Sequence, residues 1–184
     1  VVIACLGVIR RDVMANDFVL VGAPQDTAVV KGMIDAVQAL EKIALNEATF
    51  VSRGDQSGTH TREKQLWTMA GLKPMGDWYL EAGRGMGEVL TMANERQGYT
   101  LTDRGTSIAY QEKVDLEIMV EGDERLFNPY GVIAVNSKRH PHVQFDLTMK
   151  FINYLVSPDA QQRINAYEIA GQQLFFAAGK ESQK

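Results

Sequence analysis

The sequence predicts an α/β fold, and two observations carry that prediction. Short apolar runs closed by glycine or proline alternate with stretches whose apolar residues recur at helical spacing. Polar, glycine-bearing loops then stand where a predicted strand hands over to a predicted helix. Such alternation implies a largely parallel sheet, with ligands received at the carboxyl ends of its strands and at helix N-termini.

The elements follow in order. Phe18 to Val21 is an apolar run ended by Gly22-Ala23-Pro24 and reads as a buried strand. Met33, Val37, Leu40 and Ala44 lie on one face, so Val30 to Glu47 is expected to be an amphipathic helix. Phe50-Val51-Ser52 is a strand and Arg53 to Gly58 a polar loop; Glu63, Leu66, Trp67 and Ala70 then mark a helix that stops at Gly71. Trp78-Tyr79-Leu80 is the next strand, Gly83 to Gly87 a second glycine-rich loop, and Met86, Val89, Leu90 and Ala93 a helix. Tyr99-Thr100-Leu101 is a strand followed by a short helix from Asp103 to Tyr110, and Leu116 to Val120 and Tyr130 to Val135 are further strands. Leu147, Phe151, Tyr154 and Leu155 share a helical face; Ser157 as N-cap and Pro158 at the first helical position open the last helix, expected to end near Gly171.

Composition narrows the function classes. The chain has 184 residues and a mass of 20.4 kDa, enough at ~150 residues per domain for one domain or two small lobes. Hydrophobic residues make up 45% and charged residues 23%, which excludes a chain too polar to fold. Lys plus Arg number 19 and Asp plus Glu 23, a net charge of −4 that speaks against a nucleic-acid partner while allowing a local basic pocket. The longest apolar run, Val1 to Ile9, is far below the ~20 residues of a membrane-spanning helix. One cysteine, Cys5, permits no internal disulfide and leaves the compartment open. His60, His140 and His142 lack helical metal-pair spacing, so His140-Pro141-His142 is read as an exposed turn, and no metal or cofactor is expected. The chain opens directly in apolar residues, from which an upstream segment is expected.

The most informative segment is Ser52-Arg53-Gly54-Asp55-Gln56-Ser57-Gly58-Thr59-His60. Gly54 and Gly58 let backbone N–H groups turn toward an oxyanion, Ser57 and Thr59 add hydroxyls, and Arg53 adds a forked cation at the start of a helix. It is not a Walker loop, because no Gly-Lys-Ser/Thr follows. Helix capping by Ser57 or Thr59 is the competing reading, and Asp55 is expected to brace Arg53. Arg53-Gly54-Asp55 also spells a cell-adhesion tripeptide, but between a buried strand and a helix it would not protrude. In the second loop, Arg84, Gly85 and Met86 form either another wall of an anion pocket or a tight strand-to-helix turn. Glu88 stands where a dinucleotide fingerprint needs glycine. Asp103 is expected to cap the short helix, with an Asp103–Arg104 surface contact as the alternative. No nucleophile with a positioned base is found, so binding is favoured over catalysis and the chain is not read as an enzyme.

These residues resemble the TupA-type tungstate-binding proteins, the solute-binding components of ABC transporters. Beside 52–60, the resemblance rests on Val13 to Gly22, Trp78-Tyr79, Gly85-Met86-Gly87, Tyr99 to Thr106 and Asn128-Pro129-Tyr130-Gly131-Val132-Ile133, in that order along residues 7 to 176. It implies a periplasmic-binding-protein fold of type II, two α/β lobes closing on the ligand and joined by two crossing strands, Phe18 to Val21 and Tyr130 to Val135. Residues 23–128 would form lobe II; residues 1–22 and 129–184 would be the remainder of lobe I with the crossing strands. The resemblance departs at the front, where family members carry a further strand and a Thr/Ser-rich loop, and Ala15 stands at a usual Tyr. The first lobe is therefore expected to be incomplete.

By the same resemblance, Arg53 and Thr59 would contact the oxyanion directly, with Ser57 and Gly58 assisting. The implied ligand is tungstate or molybdate, and the implied partner is the membrane permease of an ABC transporter. The implied location is periplasmic or extracellular, with anchoring through an upstream segment. Apolar surface on an incomplete lobe would favour a homodimer. The alternative is the ligand-sensing domain of a regulator with the same fold.

Overall fold

The computed structural model describes residues 6–179. Cys5 and the first half of the opening apolar run lie outside them. The chain divides into two compact units, one holding residues 17–127 and the other the residues up to Asn16 together with those from Asn128 onward.

The 17–127 unit is a five-stranded sheet with helices on both faces. Its order is β3 (Tyr79–Glu81), β2 (Phe50–Ser52), β4 (Tyr99–Asp103), the later half of β1 (Gly7–Gly22) and β5 (Glu117–Val120). β2 runs parallel to β3 and β4, whereas β1 is antiparallel to β4 and β5. The sheet is therefore mixed, where the sequence suggested a largely parallel one. Strand alternation sorts its core: Phe18, Leu20, Phe50, Tyr99 and Leu101 face one cluster, while Val19, Val21 and Val51 face another. Helices α1 (Ala36–Leu45) and α2 (Gly58–Met69) bury Leu40, Ile43, Leu66 and Trp67 in the first cluster. α3 (Met86–Glu95) places Met86, Val89, Leu90 and Ala93 in the second. α4 (Arg104–Tyr110) and a 3-10 turn (Glu124–Leu126) complete the unit.

Three boundaries differ most from the sequence reading. α1 begins at Ala36, six residues late. The Asp26 carboxylate accepts from the Val30 and Lys31 N–H groups, Gly32 adopts φ +82° in a turn and Met33 bridges to Val120, which keeps 30–34 out of the helix until Asp35 caps it. β1 starts at Gly7 rather than Phe18, because Arg10, Arg11 and Asp12 break the apolar pattern. Arg10 and Asp12 pair with each other at the surface.

The third correction lies in the other unit. α6 (Pro158–Asn165) stops well before Gly171, and Ala170 and Gly171 instead turn a hairpin between β7 (Glu168–Ile169) and β8 (Gln172–Gln173). Both turn residues have positive φ, 51° and 72°, as a primed hairpin turn requires. In this unit the earlier half of β1 pairs with β6 (Phe127–Val135) and β9 (Phe176–Ala177). Gln161 clasps it, donating to the Val13 and Leu155 carbonyls and accepting from the Gly179 N–H. α5 (Phe145–Leu155) buries Ile152, and Leu147, Phe151 and Tyr154 of the shared helical face are about half exposed. His140 and His142 lie in the turn before α5, their rings 6.1 Å apart. Among the described residues, no helix is long and apolar enough to cross a membrane.

Candidate functional site

The loop 53–57 leaves the carboxyl end of β2 and enters α2. Gly54 (φ +62°) and Gln56 (φ +61°) take left-handed conformations that turn the backbone sharply. A Cβ on Gly54 would stand 3.1 Å from Glu81 Cβ and 3.2 Å from Gly83 N, so the first loop packs directly on the second.

Asp55 organises the loop. Its Oδ2 accepts from Arg53 Nη2 at 2.5 Å and its Oδ1 from the Ser57 N–H at 3.1 Å. Burial pushes the Asp55 pKa up, but the hydrogen bonds from Ser57 and Arg53 and the charge of Arg53 outweigh it and hold it below the usual carboxylate value. Arg53 is thereby braced, as expected, and only partly exposed. Its Nε is buried with no hydrogen-bond partner.

Ser57 caps α2. Its Oγ accepts from the His60 N–H at 3.3 Å, and its side chain also hydrogen-bonds the Asp55 carboxylate. Gly58 is exposed at the first helical position, and a Cβ there would meet nothing within 4 Å. Thr59 is buried. His60, quoted in the sequence motif without an assigned role, is buried too. Its Nδ1 accepts from the Gln56 N–H at 3.0 Å, which places the ring proton on Nε2, and that nitrogen has no partner. Two buried donors without acceptors, Arg53 Nε and His60 Nε2, therefore belong to one eight-residue segment. Buried polar groups of this kind call for a specific explanation.

The second loop divides. Arg84 and Gly85 are exposed, while Met86 is buried in the second core cluster. Gly85 precedes α3 with no side-chain cap. Asp103 caps α4, accepting from the Thr106 N–H at 2.9 Å and its hydroxyl at 2.6 Å, as expected. Arg104 turns from Asp103 to a bidentate pair with Asp17, at 2.7 and 2.6 Å, and reaches Glu121.

The sequence reading missed the base of the site. Glu63, used there only as a helix marker, is 2% exposed. Its Oε2 accepts from Ser52 Oγ at 2.8 Å, and its Oε1 accepts from Tyr79 OH at 2.7 Å and Trp67 Nε1 at 3.2 Å. Burial pushes its pKa up, with the three donors and His60 opposing. The available signal was a carboxylate inside an apolar helical period.

A helix-flanked sheet that presents a cationic loop and helix start at the end of a parallel strand defines an α/β binding-protein domain. The model described as PBP superfamily domain matches residues 4–159, and the chain belongs to that superfamily, within its TupA-type branch. The tungstate-binding protein TupA of Peptoclostridium acidaminophilum is 46% identical over 163 residues, covering 88% of this chain and 57% of the relative. The solved tungstate binding protein TupA from Desulfovibrio alaskensis G20 superposes with TM-score 0.84 at 43% identity, over 97% of this chain and 74% of that one. The solved tungstate ABC transporter structure from Geobacter sulfurreducens gives 0.81 at 53% identity, over 90% and 71%. The chain spans 51% and 57% of the length of two curated relatives that it matches.

Proposed function

We propose that this chain binds tungstate, or the related molybdate, as the solute-binding receptor of an ABC importer. The observation that carries the reading is the loop itself: a braced guanidinium with a buried, unpartnered Nε stands ahead of a helix start capped only by a hydroxyl. Arg53, Ser57, Gly58 and Thr59 supply the donors, and Arg84 and Gly85 flank them. Met86 contributes packing beneath the second loop. The names of the relatives above support tungstate as the ligand.

The chemistry is binding without turnover. Tungstate is a fully deprotonated tetrahedral dianion near neutral pH, and a donor-rich site suits it. Hydrogen phosphate brings a proton that needs an acceptor, and the one carboxylate of the loop, Asp55, is committed to Arg53 and Ser57. His60 Nδ1 is committed to Gln56, so no base is poised beside a nucleophile. We further propose a periplasmic or extracellular location with a membrane permease as partner. The exposed Leu147, Phe151 and Tyr154 of α5 are the surface through which two copies would pair.

Calorimetric titration of the chain with tungstate, molybdate, sulfate and phosphate tests the reading. Tungstate and molybdate are expected to bind more tightly than phosphate. The absence of heat with all four, or a preference for phosphate, overturns it.

A further inference from the structure

We infer that Glu63 is the positioning residue of the oxyanion loop: its buried carboxylate ties the strand end that carries Arg53 to the helix that carries Ser57, Gly58 and Thr59. The inference deepens the receptor reading above and rests on it for its ligand.

The geometry is that of a clamp across the base of the loop. Ser52, the last residue of β2, donates to Glu63 Oε2 at 2.8 Å and is fully buried. The next residue is Arg53, so the Ser52 bond fixes the origin of the guanidinium. Glu63 itself sits in α2, a turn and a half beyond the Ser57 cap. One carboxylate therefore holds both ends of the five-residue loop. Tyr79 OH and Trp67 Nε1 donate to the other oxygen, at 2.7 and 3.2 Å, and add β3 to the same anchor. The donors are themselves rigid. Phe50, Trp67, Trp78 and Tyr79 form a ring cluster with centroids 5.3 to 6.2 Å apart.

A carboxylate is a costly anchor in such a place. Burial pushes its pKa up, and its negative charge opposes an anion bound at the other end of the same loop. An apolar residue of similar volume would pack there without that cost, yet it would leave the Ser52, Tyr79 and Trp67 donors unpaired. What the carboxylate supplies is three directed bonds that converge from β2, β3 and α2. That is a function of position, and preorganised donors are what oxyanion recognition requires.

The test compares Glu63→Gln with Glu63→Ala in the full chain. The amide keeps the size of the carboxylate. It accepts from Trp67 and Tyr79 through its oxygen and donates to Ser52 Oγ through its nitrogen. Glu63→Gln is therefore expected to keep the tungstate Kd of the parent chain or improve it. Glu63→Ala cuts the clamp, and the folded protein is expected to bind tungstate about tenfold more weakly, the factor of one charge-assisted hydrogen bond held out of place. Amide hydrogen exchange at Gly58, Thr59 and His60 gives a readout that needs no ligand. It is expected to quicken in Glu63→Ala and to return to the parent rate in Glu63→Gln. Where Glu63→Ala does not fold, Ser52→Ala removes one arm of the clamp and carries the same expectations.

Parent-like Kd and parent-like exchange in folded Glu63→Ala or Ser52→Ala overturn the positioning role, leaving only a contribution to stability. Failure of the parent chain to bind tungstate overturns the receptor reading instead, and the exchange rates still decide the role of Glu63.

Discussion

Replacing Arg53 by Ala separates the bracing of the loop by its guanidinium from the reception of the anion proposed for it. The pair with Asp55 spans 2.5 Å between side chains 19% and 22% exposed. A pair so close to solvent contributes about 1 kcal/mol to stability, so the melting temperature should fall by roughly 2–4 °C. The effect on binding is larger. A charge-assisted hydrogen bond contributes about 1.5–3 kcal/mol, and a guanidinium offers two such bonds to a tetrahedral oxyanion. The loss is about 3–6 kcal/mol, or roughly two to four powers of ten in Kd. Asp55 adds to it, because it then faces a dianion without its counter-charge. Asp55→Ala alone should therefore change Kd by less than about tenfold, and the double variant should recover part of what Arg53→Ala loses. Arg53→Lys keeps the charge but presents one point instead of a fork, and should fall between. Calorimetric titration of the four variants with tungstate, at about physiological salt to limit diffuse attraction, completes the cycle. Folded Arg53→Ala that binds with the parent Kd would refute the assignment of the loop as the site.

Acidification should destabilise the 17–127 unit. Asp26, whose burial raises its pKa but is outweighed by hydrogen bonds from Val30, Lys31 and Tyr99, ionises more readily folded than unfolded, as do Asp35 and Asp123. Their stability is present above the ordinary value of 3.8 and lost as pH falls below it, and thermal melts of Asp26→Asn across that range should show a shallower loss. Gly98→Ala sets a Cβ 2.6 Å from the Thr49 carbonyl oxygen and 2.8 Å from its Cγ2; it should cost about 1–3 kcal/mol in a denaturant melt and leave the tungstate Kd of the folded protein unchanged. Gly58→Ala should do the opposite. A Cβ there meets nothing within 4 Å and favours the helix by up to about 1 kcal/mol, while its methyl adds bulk at the exposed helix start where the anion is proposed to bind, so stability should rise and tungstate affinity fall.

The strands and helices that bind the core were legible because their apolar periods are local. Phe50 to Ser52 and the α2 stop near Gly71 stand where the pattern puts them. What escaped was decided by partners distant in sequence or by polar side chains. The Asp26 carboxylate holds 30 and 31 out of α1, and the early half of β1 pairs with β6 and β9 although Arg10, Arg11 and Asp12 interrupt its apolar pattern. Gly171 was read as a helix stop, yet its positive φ serves a hairpin turn, and glycine alone does not distinguish the two. The same division runs through the site. The proposed ligand residues Arg53, Ser57 and Thr59 lie in one contiguous motif, whereas the anchoring of Glu63 depends on Tyr79 from β3 and Ser52 from β2.

The choice among helix starts shows why the motif and the fold are both needed. Three helices, α2, α3 and α4, begin near the carboxyl ends of the parallel strands β2, β3 and β4, and each presents the positive end of its dipole there. That common geometry alone would offer three equivalent anion sites. The local sequence breaks the tie. α4 is capped by the Asp103 carboxylate, and α3 carries Glu88 in its first turn, its Oε2 lying 3.8 Å from where a Cβ on Gly85 would be. Each already holds a negative charge that offsets the helix end by about 0.3–1 kcal/mol and would repel a second anion. α2 has a neutral hydroxyl cap, no acidic residue in its first turn, and a braced arginine ahead of it. The sheet brings three helix starts to the carboxyl end of its parallel strands, and on the proposed reading Asp103 and Glu88 disfavour two of them while Asp55, neutralised by Arg53, leaves α2 to receive the dianion.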